Sequence, residues 1–187
     1  MLAGIYLVTS HMQEIIQLKV SLLQSKPPVW RQILVHKDTT FFELHHIVQI
    51  AIGWDNYHMF EFDFEGYRIG ELDEAEDGYG SDQLLNSGTV TLSDIITEQK
   101  DTFKYLYDFG DNWKHQIKVE KFINIDPIIK YPACIDGQMN CPPEDCGGID
   151  SFITAWKQLK TKNIQIIKKL LNGLTKNIIL NSLIRKK

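Results

Sequence analysis

No run of the chain approaches the roughly 20 apolar residues that a membrane-spanning helix needs, so nothing in it reads as a bilayer segment. The opening residues, Met1 to Met12, lack a basic start and a small-residue cleavage site, which disfavours a secretory leader and makes the cytoplasm the expected location. Cysteine is scarce: Cys134, Cys141 and Cys146 are the only three. An odd number cannot all pair with one another, so free thiols or metal ligands are favoured over a disulfide framework. Acid is missing from the end of the chain. All 24 Asp and Glu precede residue 151, together with 11 of the 20 bases, so a body of −13 is followed by a segment of +9. The acidic body disfavours nonspecific contact with phosphate backbones. The basic residues Lys157, Lys160, Lys162, Lys168, Lys169, Lys176, Arg185, Lys186 and Lys187 suit docking on that body, on nucleic acid, or on an acidic partner.

What is present is an ordinary globular composition, 43% hydrophobic and 24% charged over 187 residues. That length fits one domain with a sizeable core, read here as residues 13–187, with residues 1–12 a candidate N-terminal extension. Two strands, Ile15–Leu23 and Val29–His36, flank the turn Ser25-Lys26-Pro27-Pro28, where proline sets φ and its missing amide costs no ladder bond. Thr40-Phe41-Phe42-Glu43 is a capping box, and Phe41, Leu44, Val48, Ala51 and Ile52 recur at helical spacing until Gly53. Adjacent His45 and His46 diverge by about 100° on that helix and cannot chelate together, so they read as packing or surface groups.

Phe60, Phe62 and Phe64 alternate with acids over His58–Glu65, the pattern of a half-buried strand, and Glu65-Gly66 returns the chain into Tyr67–Ile69. Glu71 to Gly88 has acids, Gly and Ser without periodicity and reads as a mobile loop. Its Asp73, Glu74, Glu76 and Asp77 lack the oxygen spacing of a calcium loop. A short helix follows Thr91 through about Gln99. Then Phe103, Tyr105, Tyr107 and Phe109 predict an aromatic strand face, Gly110-Asp111-Asn112 a turn, and Trp113, His115, Ile117 and Val119 a return strand. Asn124 to Gly148 reads as a long loop without regular structure, and Ser151–Lys162, Ile164–Leu171 and Ile178–Ile184 as helices. The expected fold is α+β: a mixed or largely antiparallel sheet, a β-β-α-β-β start similar to a β-grasp, a later hairpin and C-terminal helices.

Several motifs in order carry a resemblance: Lys26-Pro27-Pro28-Val29-Trp30-Arg31, Gly53-Trp54 with Tyr57-His58, Tyr107-Asp108-Phe109-Gly110-Asp111-Asn112-Trp113 with His115, Tyr131-Pro132-Ala133-Cys134, and Cys141-Pro142-Pro143-Glu144-Asp145-Cys146-Gly147-Gly148. Over about residues 15–150 the chain resembles the plasmid pRiA ORF-three-like family of bacteria and archaea. The resemblance implies a setting among plasmids or transposable elements and no agreed reaction. No serine- or tyrosine-recombinase constellation is visible, and the basic end departs from a family that often ends acidic.

Three constellations are candidates for function. Asp108, Asp111, His115, Glu144 and Asp145 combine carboxylates with an imidazole, the groups of metal-assisted hydrolysis or general-base work; the structural alternative is turn amides, caps and a core histidine. Cys134, Cys141 and Cys146 at C-x6-C-x4-C could hold zinc with His115 or His58, or pack as small buried thiols; the family resemblance allows valine at the position of Cys146. Trp30, Arg31, Trp54, Tyr57, His58, Tyr107 and Trp113 offer aromatics beside a cation, as binding surfaces do, or build the core. No nucleophile elbow or phosphate loop accompanies them. The leading expectation is therefore a non-catalytic binding or accessory protein without a cofactor, its partner a protein or peptide. The alternatives are a metal-assisted hydrolase and a nucleic-acid binder using the basic segment.

Overall fold

A computed structural model describes residues 14–71 and 84–162. The candidate extension, the acids Asp73, Glu74, Glu76 and Asp77, the basic residues from Lys168 onward and the helices expected over Ile164–Leu171 and Ile178–Ile184 lie outside the described residues.

Strand β1 (Glu14–Leu22) pairs antiparallel with β2 (Val29–His36). Between them the Ser25 hydroxyl donates to the Leu22 carbonyl and accepts from the Val29 amide, closing the turn around the prolines. Helix α1 (Phe41–Ile52) starts at the expected capping box, with Thr40 Oγ1 accepting from the Glu43 amide and Glu43 accepting from the Thr40 amide. It ends at Gly53, whose φ of 93° is the left-handed conformation that lets its amide bond back to Gln49. Strands β3 (Phe60–Phe64) and β4 (Tyr67–Gly70) form a hairpin, as do β6 (Thr102–Tyr107) and β7 (Trp113–Asn124).

Five expectations are corrected. Within the segment read as a loop, Leu84–Asn86 forms β5, parallel to β4; three residues are too few to show alternation. The helix α2 is a single turn, Leu92–Ile95, because Ile96 turns extended and buries its side chain, while Asp101 takes the amides of Thr97 and Glu98. The expected irregular stretch contains β8 (Ala133–Gln138), an edge strand on β2. It is mostly exposed, which is why no apolar pattern marks it. The aromatic strand stops at Tyr107 and not at Phe109. Helix α3 (Gly148–Lys162) begins earlier than Ser151.

The eight strands form one sheet in the order β5-β4-β3-β6-β7-β1-β2-β8, antiparallel throughout except for β4 with β5. The protein is thus α+β with a mixed, mainly antiparallel sheet. The β-β-α-β-β order is present along the chain, but β6 and β7 lie between its two hairpins, so β1 meets β7 and not the second hairpin. No described helix is long and apolar enough to cross a membrane.

Helix α1 lays Phe41, Leu44, Val48 and Ile52 on the sheet face made by Phe60, Phe62, Phe103, Tyr105, Tyr107, Trp113, Ile117 and Val119. Phe41 meets Phe62 and Phe103 edge-on at 5.1 and 5.8 Å between ring centres, the favoured geometry for opposed ring quadrupoles. Phe41→Ala is expected to cost about 3–5 kcal/mol through lost burial and a cavity, whereas Thr40→Ala removes a cap and costs about 1 kcal/mol. Urea unfolding of both variants checks the order; equal losses would contradict this account of the helix.

Candidate functional site

The turn between β6 and β7 is organised by Asp108. Its amide continues the β3–β6 ladder to the Met59 carbonyl at 3.0 Å, but its φ of 56° ends the strand there. One carboxylate oxygen, Oδ1, accepts from the amides of Gly110 (2.9 Å) and Asp111 (3.2 Å), an aspartate turn built from its own side chain. The same bend swings Phe109 away from the aromatic strand face and leaves it 51% exposed.

Next to this turn the fully buried Tyr107 carries its hydroxyl to the junction of three segments. The hydroxyl accepts from the amides of Tyr57 (2.9 Å) and His58 (3.3 Å) and donates to Glu144 Oε1. Burial, reinforced by the bond to Glu144, raises the phenol well above the usual tyrosine range, so it stays a donor. Glu144 Oε2 accepts from the Asp55 amide at 2.5 Å, Trp54 Nε1 donates to the Pro142 carbonyl at 2.7 Å, and the Gly147 amide donates to Asp111 Oδ2 at 3.0 Å. The segment 141–148 is thereby tied both to the stretch after α1 and to the β6–β7 turn. Gly148 comes so close that a Cβ there would stand 2.7 Å from the Asp111 carbonyl oxygen, with φ at +75°.

These ties place three side chains together. His58 Nε2 lies 3.1 Å from Asp145 Oδ1 and 3.7 Å from Asp108 Oδ2. Among the described residues, His58, Asp108 and Asp145 are the one group of three metal-capable side chains with ligand atoms all within 4.8 Å of one another.

The candidate hydrolytic residues divide accordingly. Asp108 and Asp145 meet; Asp111 and Glu144 stand near but are committed to backbone amides and, for Glu144, the phenol. His115 is not in the group. The alternation of β7 turns it inward, between Trp54 and Tyr105 at 5.5 and 5.3 Å, and neither ring nitrogen has a hydrogen-bond partner. Burial pushes its pKa down to about 4, so it is neutral at pH 7. His58, read from the sequence as a binding residue, is the imidazole that faces the carboxylates.

The cysteines do not assemble a ligand set, with each other or with His115 or His58, among the described residues. All three are half-buried thiols packed against the core. Burial pushes the Cys141 thiol up to about 12 and raises that of Cys146, which keeps both protonated at neutral pH. The Cys134 thiol donates to the Asp136 carbonyl at 3.6 Å.

The aromatic face also divides. Trp54, Tyr107 and Trp113 are core residues. Half-buried Trp30 donates to Gln138 Oε1 while Lys19 sits 4.2 Å above its ring, and Arg31 donates to the carbonyls of Ala51, Trp30 and Met139, each at 2.8 Å. Trp30 therefore holds β8 to β2, and Arg31 ties β2 and the residue after β8 to the end of α1. Tyr57 alone of the set is strongly exposed, at 76%; the exposed apolar residues beside it, Met59 and Phe109, were missed because alternation puts Phe109 inside and Met59 precedes its strand.

Comparison with known proteins agrees with the motifs. The family model of the plasmid pRiA4b ORF-3-like proteins matches residues 14–174. The uncharacterized protein y4hQ of Sinorhizobium fredii is 35% identical over 136 residues, 72% of this chain and 67% of that protein. Among solved structures, the protein of unknown function MM3350 from Methanosarcina mazei Go1 superposes with a TM-score of 0.73 at 30% identity, covering 86% of this chain and 89% of that one.

Two outcomes are expected from this geometry. Tyr107→Phe removes one hydroxyl and leaves the Tyr57 and His58 amides and Glu144 without it, at about 1–3 kcal/mol, and raises proteolytic cleavage within 141–148; unchanged cleavage would separate the loop from the hydroxyl. His45 and His115 both titrate near 4 in the fold against 6.5 when unfolded, so the unfolded chain binds more protons between those values. Their contribution is complete above about pH 6.5 and is lost as pH falls toward 4. Urea unfolding at pH 7 and pH 5 should show a smaller loss for His115→Leu than for the parent; equal losses count against a buried neutral His115.

Proposed function

The chain belongs to the plasmid pRiA4b ORF-3-like family, and from that premise we propose that it is a non-catalytic binding or accessory protein whose partner is a protein or peptide docking at the β6–β7 turn. The observation that carries this reading is the grouping of exposed apolar side chains on a braced piece of backbone. Tyr57, Met59 and Phe109 are 76%, 55% and 51% exposed, and the bond from the Asp108 amide to the Met59 carbonyl sets Phe109 beside the β3 entry. Single exposed hydrophobics are ordinary, but three on one rigid corner are what a binding patch supplies.

The charge around the patch narrows the partner. Asp55 and Asp145 are exposed and Glu144 half-exposed at the same corner, so a segment pairing an apolar or aromatic residue with Lys or Arg is the complementary ligand. The cavity against α3 at Asp150, Thr154 and Gln158, and one of about 130 Å³ beside Lys104 and Lys114, are lined by other residues. An open corner suits a peptide better than an enclosed small substrate. The plasmid in the family's description supports an accessory role in mobile-element biology.

Selection from a random peptide display library tests the reading. The expected ligands carry a basic residue next to an apolar one, bind more weakly as salt rises, and lose at least about tenfold affinity with Tyr57→Ser plus Phe109→Ser, a loss of about 1.4 kcal/mol. Selection of no peptide, or of peptides indifferent to both substitutions, would reject it.

A further inference from the structure

We propose that His58, Asp108 and Asp145 form a binding site for one divalent transition-metal cation, of the zinc type. The site goes beyond the docking corner and needs no partner to fill it.

The donor set is the first argument. One imidazole nitrogen and two carboxylate oxygens converge, and two ionised carboxylates with a neutral imidazole balance a 2+ charge. Imidazole favours zinc and its first-row neighbours over calcium and magnesium, which take oxygen ligands. The spacing is the second. Ligands about 2.0–2.2 Å from a tetrahedral ion stand roughly 3.4 Å from one another. The separations of 3.1 Å (His58 Nε2 to Asp145 Oδ1) and 3.7 Å (His58 Nε2 to Asp108 Oδ2) bracket that figure. The two carboxylates lie within 4.8 Å of each other, and any adjustment falls to Asp145, whose side chain is 72% exposed and can shift without disturbing packing.

The third argument is independent of the cluster. Asp108 has a side chain only 9% exposed. Its Oδ1 is satisfied by two turn amides, whereas no hydrogen bond reaches Oδ2, which faces His58 from beyond hydrogen-bond distance. Oδ2 is thus an acceptor that the turn leaves open on a largely buried side chain, and a cation between Asp108 and His58 supplies it with a partner. An imidazolium–Asp145 ion pair alone would not, because Asp145 is solvent-exposed and such pairs contribute little.

The backbone holds these groups independently of the ion. The His58 amide is bonded to Tyr107, Asp108 sits in its own turn, and Asp145 is flanked by Glu144 and Gly147, both tied to the neighbouring segments. Three protein ligands leave a fourth position open to water or to a donor atom from outside.

The experiment is calorimetric titration of the chelator-stripped full chain with zinc chloride under reducing conditions, followed by cobalt(II) substitution. One equivalent should bind. His58→Gln and Asp108→Asn should each weaken binding at least tenfold, and His46→Gln, on an exposed neighbour outside the group, should leave it unchanged. Asparagine keeps the Oδ1 acceptor of the turn, and the His58 side chain is bonded to the loop only at exposed Asp145, while Tyr107, Trp54 and Asp111 hold the loop independently, so urea unfolding should find both variants folded. The cobalt form should show visible bands of nitrogen and oxygen ligation. No saturable binding up to millimolar zinc, full binding in His58→Gln, or a thiolate-to-cobalt charge-transfer band would each overturn the assignment. Tyr57→Ser with Phe109→Ser should keep zinc affinity, so failure of the docking corner and failure of the metal site are read separately.

Discussion

The hydroxyl of Tyr107 reaches the surface end of a side chain that is otherwise entirely inside, and there it accepts from two consecutive amides and donates to Glu144. The site depends on this arrangement. The strand supplying the tyrosine is central to the sheet, so the hydroxyl is fixed in position, and the segments on either side are fixed to it. Without a partner at that point the Tyr57 and His58 amides and a carboxylate would have to find water at the edge of the core, at a cost comparable to a large share of a domain's net stability.

A second polar chain runs beneath it. Gln49 Nε2 donates to the Tyr105 hydroxyl at 2.8 Å, which leaves that hydroxyl's proton for His45 Nδ1 at 2.7 Å, so Nε2 of the same ring carries the other proton and donates to Asn56 Oδ1 at 2.5 Å. The histidine is neutral, consistent with burial lowering its pKa to about 4. Asn56, at φ 62°, is thereby held in a left-handed bend that brings the following Tyr57 and His58 back to Tyr107. Two buried tyrosines on one strand face, one reaching α1 and the other the loop, connect the helix, the sheet and the segment 141–148. Polar networks of this kind favour one arrangement of a core because every member loses a bond in any other.

Much of the architecture was legible from local pattern. The capping box at Thr40, the stop at Gly53, the alternation through Phe60–Phe64 and Trp113–Val119, and the turn residues Gly110-Asp111-Asn112 all follow from rules that act within a few residues. What escaped were elements with little apolar content of their own: β5, three residues long, and β8, an exposed edge strand whose existence rests on β2 offering unpaired backbone groups. The site was half legible. Asp108, Asp145 and His58 were each singled out, but in different roles, because alternation marks His115 as an imidazole on the same hairpin as the aspartates and cannot say that the core keeps it.

By itself the sequence determined the family, the α+β class, most element boundaries and the inward face of each principal strand, since periodicity, capping and turn chemistry are short-range. The odd number of cysteines favoured free thiols or metal ligands over a disulfide framework. Only the tertiary structure decided which imidazole meets which carboxylate, that Trp54 and Trp113 are interior, and that Tyr57, Met59 and Phe109 share a corner. The physical reason is distance along the chain: His58 and Asp145 are 87 residues apart, and their approach is set by a phenol on a third segment. No local rule acts across such a separation. The packing of β6 between β3 and β7 does, by carrying Tyr107 to the place where both segments must bond.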